Sequence, residues 1–400
     1  MVYSPVMQVY SLYIHIPFCK HICSYCDFNT YAGLETLIPQ YVEALKKECA
    51  MLHSSYGKPP AIHSIYFGGG TPTILSLEEF RKILTSIEKY FILQPDVEVS
   101  CEANPVSIDK AYLLGLHKMG INRLSIGMQS ADPFILNLLG REHAYRDVCR
   151  SVESARQVGF KNINLDLIFG SPEQTFALWH DSLEKALRLD PEHLSLYSLM
   201  LEDETPLSEN ISRGAISQID PDLAAEMYEF ATDMLAAEGF KQYEISSWAR
   251  GSEAGEFQMC IHNLQYWRNW PYLGIGAGAH GFAGGMRIAN VIHPKEFIQR
   301  IASSDSHPFP RTSASETIIP IDQETEMKET LLMGLRLTEE GVSTQDFYQR
   351  FGSTLTSVFS QETKDFIESG LLEIVDSNGE RIRFTTKGRI LANQVFERFV

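Results

Sequence analysis

The sequence lacks an apolar run long enough for a membrane-spanning helix. Such a helix needs about 18 consecutive apolar residues, and the 400-residue chain contains no run of that length. The opening stretch, MVYSPVMQVYSLYIHIPF, has neither the basic segment nor the apolar core of a secretory signal. We therefore expect a cytoplasmic protein without a transmembrane segment. Peripheral contact with a membrane stays open, although no stretch of the sequence indicates it.

Basic residues are scarce relative to acidic ones. The chain has 34 Lys and Arg residues against 51 Asp and Glu residues, a formal net charge of -17. Such a surface repels a polyphosphate backbone. The sequence therefore argues against nucleic acid as a partner.

Cysteines that could pair in disulfides are few. The chain has seven, an odd number, and four of them (Cys49, Cys101, Cys149 and Cys260) are scattered singly. In a reducing compartment these four are expected to be ordinary core residues. The other three lie within the single stretch FCKHICSYCDF.

The first half of the chain alternates strand-like and helix-like segments. Six β-then-α units in succession predict parallel strands joined by right-handed crossovers. Both a doubly wound sheet and a (β/α) barrel satisfy this pattern. The predicted strands are 8–16, 61–67, 96–105, 121–130, 161–170 and 192–200.

The two faces of these strands differ in polarity. In the first strand Ser11, Tyr13 and His15 share one face, whereas Leu12 and Ile14 share the other. Three later strands alternate in the same way, unlike the continuous apolar strands of a sheet that is covered on both faces. The pattern predicts an incomplete (β/α)6 barrel with a polar, ligand-holding interior. An antiparallel sheet with one wet face is the alternative, and the intervening helices argue against it.

Later segments predict further regions. We expect the barrel over 1–205, a middle region over 206–305, and a small, mostly helical domain over 320–400, with a linker at 302–320. In the last domain a hairpin turning at Asn378-Gly379 follows several helices, which is typical of a winged helix.

Three thiols within eight residues must share one site. Cys19, Cys23 and Cys26 could bind zinc, with His15 or His21 as a fourth ligand. They could equally hold an iron–sulfur cluster that leaves one iron open to an outside ligand.

The Cys-x3-Cys-x2-Cys spacing, followed by an aromatic-rich turn, resembles the radical S-adenosylmethionine (SAM) family. The resemblance implies a [4Fe-4S] cluster on Cys19, Cys23 and Cys26, with SAM on the fourth iron, and no catalytic side chain is singled out. FGGGTP (67–72) resembles the family's glycine-rich SAM-binding loop. Arg141 is suited to the SAM carboxylate, and an acid on the barrel rim is its alternative partner. The SAM contacts that the resemblance implies are Tyr13, Gly69, Gly70, Thr71, Glu102, Gln129, Arg141 and Asp166.

Within that family, most of the chain resembles the oxygen-independent coproporphyrinogen III oxidase group. Two differences favour its haem-chaperone branch, the HemW proteins. Phe28 stands where the oxidases have a further cysteine, and only 18 residues precede Cys19 where the oxidases have a longer extension.

The stretch HNLQYW, His262 to Trp267, resembles the HNxxYW motif of that branch. It implies haem binding, with His262 as the candidate iron ligand and Tyr266 and Trp267 as flat apolar surfaces. A hydrogen-bonded structural histidine is the alternative. His280 and Cys260 are weaker candidates.

The resemblance thus implies a haem chaperone that passes haem to an acceptor haem protein, for example a respiratory one. In that case the cluster would serve structure, homodimer formation or haem transfer rather than turnover. The alternative functions are a coproporphyrinogen III oxidase and a zinc-binding structural protein.

Overall fold

The structure is a computed structural model that describes residues 8–218, 220–251, 256–303, 305–375 and 380–399. Within these ranges no helix is long and apolar enough to cross a membrane. The strands are β1 Val9–Ile16, β2 Phe18–Cys19, β3 Tyr31–Ala32, β4 Ala61–Gly69, β5 Ile92–Ala103, β6 Arg123–Gln129, β7 Ile163–Phe169, β8 His193–Ser198, β9 Phe240–Glu244, β10 Ser247–Arg250, β11 Tyr272–Ile275, β12 His280–Ala283, β13 Met286–Asn290, β14 Ser315–Pro320, β15 Val342–Ser343, β16 Leu372–Val375 and β17 Arg381–Phe384.

Helices follow most of the parallel strands. They are α1 Ile38–Tyr56, α2 Leu77–Tyr90, α3 Lys110–Lys118, α4 Pro133–Leu138, α5 Tyr145–Val158, α6 Phe176–Leu187, α7 Pro206–Ser212, α8 Pro221–Ala237, α9 Ile261–Trp267, α10 Pro294–Ala302, α11 Gln323–Gly334, α12 Thr344–Phe351, α13 Leu355–Val358, α14 Ser360–Glu368, α15 Thr386–Ile390 and α16 Ala392–Phe396.

The main sheet of the first compact unit has the strand order β14-β13-β12-β11-β1-β4-β5-β6-β7-β8. Its six central strands are parallel and follow one another in chain order. A doubly wound sheet would reverse its order near the first strand. The consecutive order is that of an incomplete (β/α)6 barrel, so the predicted fold class is confirmed. The strand β11 extends it, parallel to β1.

Local sequence explains why the crossover helices form and where they pack. In α2, Ser76 and Glu79 form a reciprocal capping box at the first turn. Phe80, Ile83 and Ile87 then recur at helical spacing and are fully buried. The helix therefore packs its apolar face against the sheet, and it positions the loop between β4 and α2.

The inner face of the barrel is polar, as the alternation of the strands predicted. The Ser125 hydroxyl donates to Asp166 over 2.9 Å, and the Asn164 amide donates to both of these side chains. His193 on β8 lies 2.6 Å from the Asn164 amide oxygen. Because polar groups pair across neighbouring strands, the interior avoids the cost of unsatisfied buried groups.

The chain divides into two compact units, and the boundaries differ from the three regions expected from the sequence. The first unit comprises 1–231 and 271–319, and the second comprises 232–270 and 320–400. The expected middle region, 206–305, is thus shared between them. Part of the expected linker is also ordered, because Ser315–Pro320 forms strand β14.

The second unit contains the hairpin and helices predicted for the C-terminal region. Strands β16 and β17 pair antiparallel, and β15 adds a third strand on the other side of β17. The predicted turn at Asn378-Gly379 lies outside the described residues. After β17 the chain forms the short helices α15 and α16, separated at Leu391.

Candidate functional site

A cavity of about 490 Å³ opens where the parallel strands of the first unit end. This is the end at which barrels of parallel strands place their binding residues. The cavity is lined by all three predicted cluster cysteines and by seven of the eight predicted SAM contacts. These ten residues are Cys19, Cys23, Cys26, Gly69, Gly70, Thr71, Glu102, Gln129, Arg141 and Asp166.

The loop that carries the three cysteines is attached to the barrel by a residue in the middle of the loop, Ser24. The Ser24 hydroxyl donates to the Leu138 carbonyl over 2.7 Å, and the Ser24 amide donates to the Leu139 carbonyl over 3.2 Å. A Cβ atom on Gly140 would lie only 2.8 Å from the Ser24 nitrogen. Glycine at 140 therefore allows the end of helix α4 to approach the cysteine loop.

Each thiol faces the cavity beside a polar partner. The sulfur of Cys19 lies 3.4 Å from the Thr71 hydroxyl, and the sulfur of Cys26 lies 3.9 Å from the Thr30 hydroxyl. Arg141 Nη1 donates to the sulfur of Cys23 over 3.4 Å. Burial raises the pKa of the Cys19 thiol to about 11, so binding a metal there requires the release of a proton.

Zinc and an iron–sulfur cluster would use the three thiols differently. In a tetrahedral zinc site, ligand sulfurs about 2.3 Å from the metal converge on a single point. A cubane instead assigns its cysteines to separate irons. All three thiols line one cavity, so they are near enough to share one metal group.

The glycine-rich loop after β4 packs closely against the cysteine loop. The Gly70 amide donates to the Ile16 carbonyl and the Thr71 amide to the Phe18 carbonyl, both over 2.9 Å. A Cβ atom on Gly70 would lie 2.8 Å from that Phe18 oxygen and 3.0 Å from the sulfur of Cys19. The absence of a side chain at 70 therefore keeps space beside the first cysteine.

Glu102 is a half-buried acid at the end of β5. It accepts hydrogen bonds from the Tyr66 hydroxyl over 3.1 Å and from the Gly69 amide over 3.3 Å. Burial, together with the nearby charge of Asp166, raises the pKa of Glu102 to about 8. A ligand that brings hydroxyl or ammonium donors would stabilise its ionised form.

Asp166 is the second acid of the cavity and is half-buried. Desolvation raises its pKa, and the hydrogen bonds from Ser125 and Asn164 oppose that shift. Two carboxyl groups with raised pKa values in one cavity are typical of a binding site rather than of a structural core.

Gln129 and Arg141 meet at the end of β6. Gln129 has a φ of 59°, in the left-handed region that few residues other than glycine adopt. Arg141 Nη2 donates to the Gly127 carbonyl over 3.0 Å, and a Cβ atom on Gly127 would lie 2.8 Å from that nitrogen. The Nε atom of Arg141 is buried without a hydrogen-bond partner among the described residues, so the guanidinium keeps a donor for a ligand carboxylate.

Tyr13, the eighth predicted SAM contact, lies behind the cavity instead of lining it. Its ring stacks on Tyr66 with centroids 6.3 Å apart, and its hydroxyl lies 3.1 Å from His15 Nδ1. The other nitrogen of His15 lies 2.9 Å from the Asn29 carbonyl, which can only accept. His15 is therefore protonated at Nε2 and accepts from Tyr13 at Nδ1, and its burial lowers its pKa.

His262 belongs to the second unit, on the short helix α9. The side chain is only 1% exposed, and its Nε2 lies 2.8 Å from the Tyr266 hydroxyl one turn later. The guanidinium of Arg336 lies over the Trp267 ring at 4.5 Å. His262 and Tyr266 thus share one face of α9, and their side chains are hydrogen-bonded to each other.

Sequence reasoning did not single out Tyr66 and Gly127, which also line the cavity. The register of β4 shifts between Ile62 and Ser64, and this irregularity conceals the alternation that would have placed Tyr66 on the inner face. Gly127 lies two residues before Gln129 in LSIGMQS. A glycine inside a strand indicates close approach by another group.

The residues of this cavity fit the groups that the sequence predicted. Three thiols around one cavity, a side-chain-free position beside the first of them, two half-buried carboxyl groups and an arginine with a free donor suit a cubane together with an amino-acid nucleoside. The sequence matches the Radical SAM superfamily over residues 13–186 and the HemN C-terminal domain over residues 321–391. The fold and the site define a radical SAM protein, a class that implies a [4Fe-4S] cluster and SAM.

Known proteins resemble the chain over nearly its full length. It is 39% identical to Heme chaperone HemW of Bacillus subtilis, over 98% of this chain and 99% of that protein. It is 35% identical to the mitochondrial radical S-adenosyl methionine domain-containing protein 1 of Bos taurus, over 94% and 85% of the two chains. The chain belongs to the HemW family.

A solved structure shares the whole fold. Coproporphyrinogen III oxidase (HemN) from Escherichia coli, described as a radical SAM enzyme, superposes with a TM-score of 0.82 over 99% of this chain and 91% of that one. The two sequences are 22% identical, so this likeness concerns the fold alone.

Proposed function

We propose that the protein is a haem chaperone, which binds haem and transfers it to an acceptor haem protein. The observation that carries the proposal is the similarity to proteins named Heme chaperone HemW, at 33 to 39% identity over 82 to 98% of this chain in five bacterial sequences. Phe28, where the oxidases have a cysteine, supports the same assignment. Its side chain is 66% exposed at the mouth of the cavity.

In this proposal the barrel holds the cluster and SAM. Cys19, Cys23 and Cys26 would hold the cluster, and the cavity beside them would hold SAM. The backbone at 69–71 approaches the methionyl end, and Arg141 donates to its carboxylate. Glu102 and Asp166 accept hydrogen bonds from the ligand's hydroxyl or ammonium groups.

His262 is proposed as the haem-iron ligand, with Tyr266 and Trp267 as neighbouring aromatic surfaces. For iron to bind at Nε2, the contact between His262 and the Tyr266 hydroxyl has to open. The exposed aromatic Trp270, 45% accessible, lies three residues beyond Trp267 on the same unit. The acceptor is proposed to be a respiratory haem protein, and the chaperone to be a cytoplasmic homodimer.

Haem titration tests the binding half of this proposal. Adding haem to the anaerobically prepared protein is expected to produce a Soret band that saturates at one haem per chain. A spectrum equal to the sum of free haem and protein at every addition would contradict the proposal.

A second candidate function is the oxygen-independent coproporphyrinogen III oxidase, an oxidative decarboxylase. The shared fold with HemN, at a TM-score of 0.82, favours it. The test supplies coproporphyrinogen III, SAM and a reductant to the cluster-loaded protein under anaerobic conditions. We expect no protoporphyrinogen, and repeated turnover would establish the oxidase function instead.

A further inference from the structure

Asn29 is one of the side chains that attach the far end of the cysteine loop to the barrel. Asn29, three residues after Cys26, donates from Nδ2 to the carbonyl of Ala277 over 3.1 Å and to the carbonyl of Ile292 over 3.0 Å. Its own carbonyl accepts from His15 Nε2 over 2.9 Å. One residue therefore joins the loop to the first strand and to the segment around β12 and β13.

The turn that receives Asn29 is built for close approach. Residues 276–279, which we call the glycine turn, follow β11 in the stretch GIGAGAHG. Gly278 has a φ of 72°, and a Cβ atom there would overlap Asn29 Nδ2. Glycine at 278 is therefore required twice, by the backbone conformation and by the amide that lies against it.

The glycine turn is itself fixed from the opposite side by helix α1. Glu48, fully buried, accepts from the Gly276 amide and from Asn290 Nδ2, each over 2.8 Å. The Tyr41 hydroxyl accepts from the Ala277 amide over 2.7 Å and donates to the His15 carbonyl over 2.9 Å. The turn is thus a rigid support against which the cysteine loop rests.

We propose that Asn29 is a positioning residue for the iron–sulfur cluster, because its amide fixes the Cys26 end of the cysteine loop against the glycine turn. The middle of the loop already has a separate attachment at Ser24, so Asn29 determines where the last of the three sulfurs lies relative to the other two. The inference rests on the proposed cluster site and is independent of the haem function.

The test compares Asn29→Asp with the matched change Asn122→Asp. Asn122 also bonds two backbone groups, accepting from the Val99 amide and donating to the Val97 carbonyl, each over 2.8 Å. It lies before β6, at the end of the strands remote from the cavity. In both variants a donating amide becomes a carboxylate, and the reconstituted full-length proteins are compared.

The readouts are the rate of iron release to a chelator, the electron paramagnetic resonance spectrum of the reduced cluster and the thermal midpoint. We expect Asn29→Asp to release iron about tenfold faster, in line with the loss of two hydrogen bonds, and to shift the spectrum. Asn122→Asp is expected to keep the wild-type release rate and spectrum even if its midpoint falls.

Tyr31→Phe provides a milder variant should Asn29→Asp fail to fold. It removes only the hydroxyl that donates to the Ile292 carbonyl over 3.3 Å, and about twofold faster release is expected. Wild-type rates and spectra in the folded variants at both 29 and 31 would overturn the inference, as would an equal effect at Asn122. A wild-type protein that binds no iron would instead refute the proposed cluster site.

Discussion

Arg141 Nη1 lies 3.4 Å from the sulfur of Cys23, although 118 residues separate the two in sequence. The same guanidinium donates from Nη2 to the Gly127 carbonyl over 3.0 Å. One side chain thus joins the cysteine loop to the end of β6, and its remaining Nε donor is buried without a partner among the described residues. Arg141 therefore contacts a proposed cluster ligand, Cys23, and in the proposal it also donates a hydrogen bond to the carboxylate of a bound ligand.

The first prediction concerns this guanidinium. Arg141→Lys keeps the positive charge but loses the planar guanidinium. A single ammonium group cannot reach the Cys23 sulfur, the Gly127 carbonyl and a ligand carboxylate together. We expect SAM to bind about tenfold more weakly, the effect of losing a charge-assisted hydrogen bond. Equilibrium binding of SAM to the reconstituted protein measures this. Arg150→Lys, at an exposed site on α5, serves as the control, and equal affinities in all three proteins would contradict the role of Arg141.

The second prediction concerns the metal group. Anaerobically reconstituted protein is expected to contain about four irons per chain with matching acid-labile sulfide. Cys23→Ser should lose most of that iron, because an alcohol is a poor ligand for a cluster. Cys149→Ser, which changes a cysteine outside the loop, should lose none. Tightly bound zinc without sulfide would contradict the account.

The third prediction uses the raised pKa of Glu102. The folded chain keeps this carboxyl group protonated up to a pKa of about 8, whereas the ordinary value is 4.5. Between these values the folded state binds more protons than the unfolded state, so the free energy of unfolding falls as pH rises, by at most about 1.4 kcal/mol per pH unit.

Glu102→Gln removes this titratable group, so the free energy of unfolding of the variant should depend less on pH between the two pKa values. Urea denaturation of the cofactor-free protein at several pH values between 5 and 8 measures the difference. Glu43→Gln, on the exposed side of α1, is the control. Parallel stability curves for wild type and Glu102→Gln would rule out the raised pKa.

The alternation of the strands was sufficient to predict the barrel and its polar interior, and the resemblance to the radical SAM family supplied most of the predicted residues that line the cavity. Strand faces such as Ser11, Tyr13 and His15 follow from the two-residue period alone, and the polar interior follows from those faces. The contacts that arrange the cavity involve residues far apart in the chain, such as Ser24 with Leu138. The periodicity of residues within one strand or helix does not indicate such pairs.

The sequence also could not indicate which side chains of a strand end reach the cavity. Tyr13 shares the inner face with His15, yet its ring stacks on Tyr66, and it is Tyr66 that lines the cavity. The division of residues 206–305 between two compact units is similarly a matter of tertiary contacts. The changes in composition along the chain do not coincide with the unit boundaries that these contacts determine.

The fourth prediction concerns His262 and Tyr266. His262→Ala should weaken the Soret band on haem addition, since an imidazole is the proposed iron ligand. Tyr266→Phe removes the hydroxyl that lies 2.8 Å from Nε2 and leaves the aromatic ring, so haem binding should be kept or strengthened. His280→Ala, an exposed histidine on β12, is the control. An unchanged band in His262→Ala would exclude this residue as the ligand.

Transfer of haem from the loaded protein to a haem-free acceptor tests the central claim most directly. Haem-loaded protein would be mixed with apomyoglobin, and the acceptor's own Soret spectrum would be followed over time after the donor is separated. The account predicts that one haem per donor chain appears in the acceptor without free haem accumulating. A donor that acquires no stoichiometric haem, or that retains all of it in the presence of excess acceptor, would contradict the account.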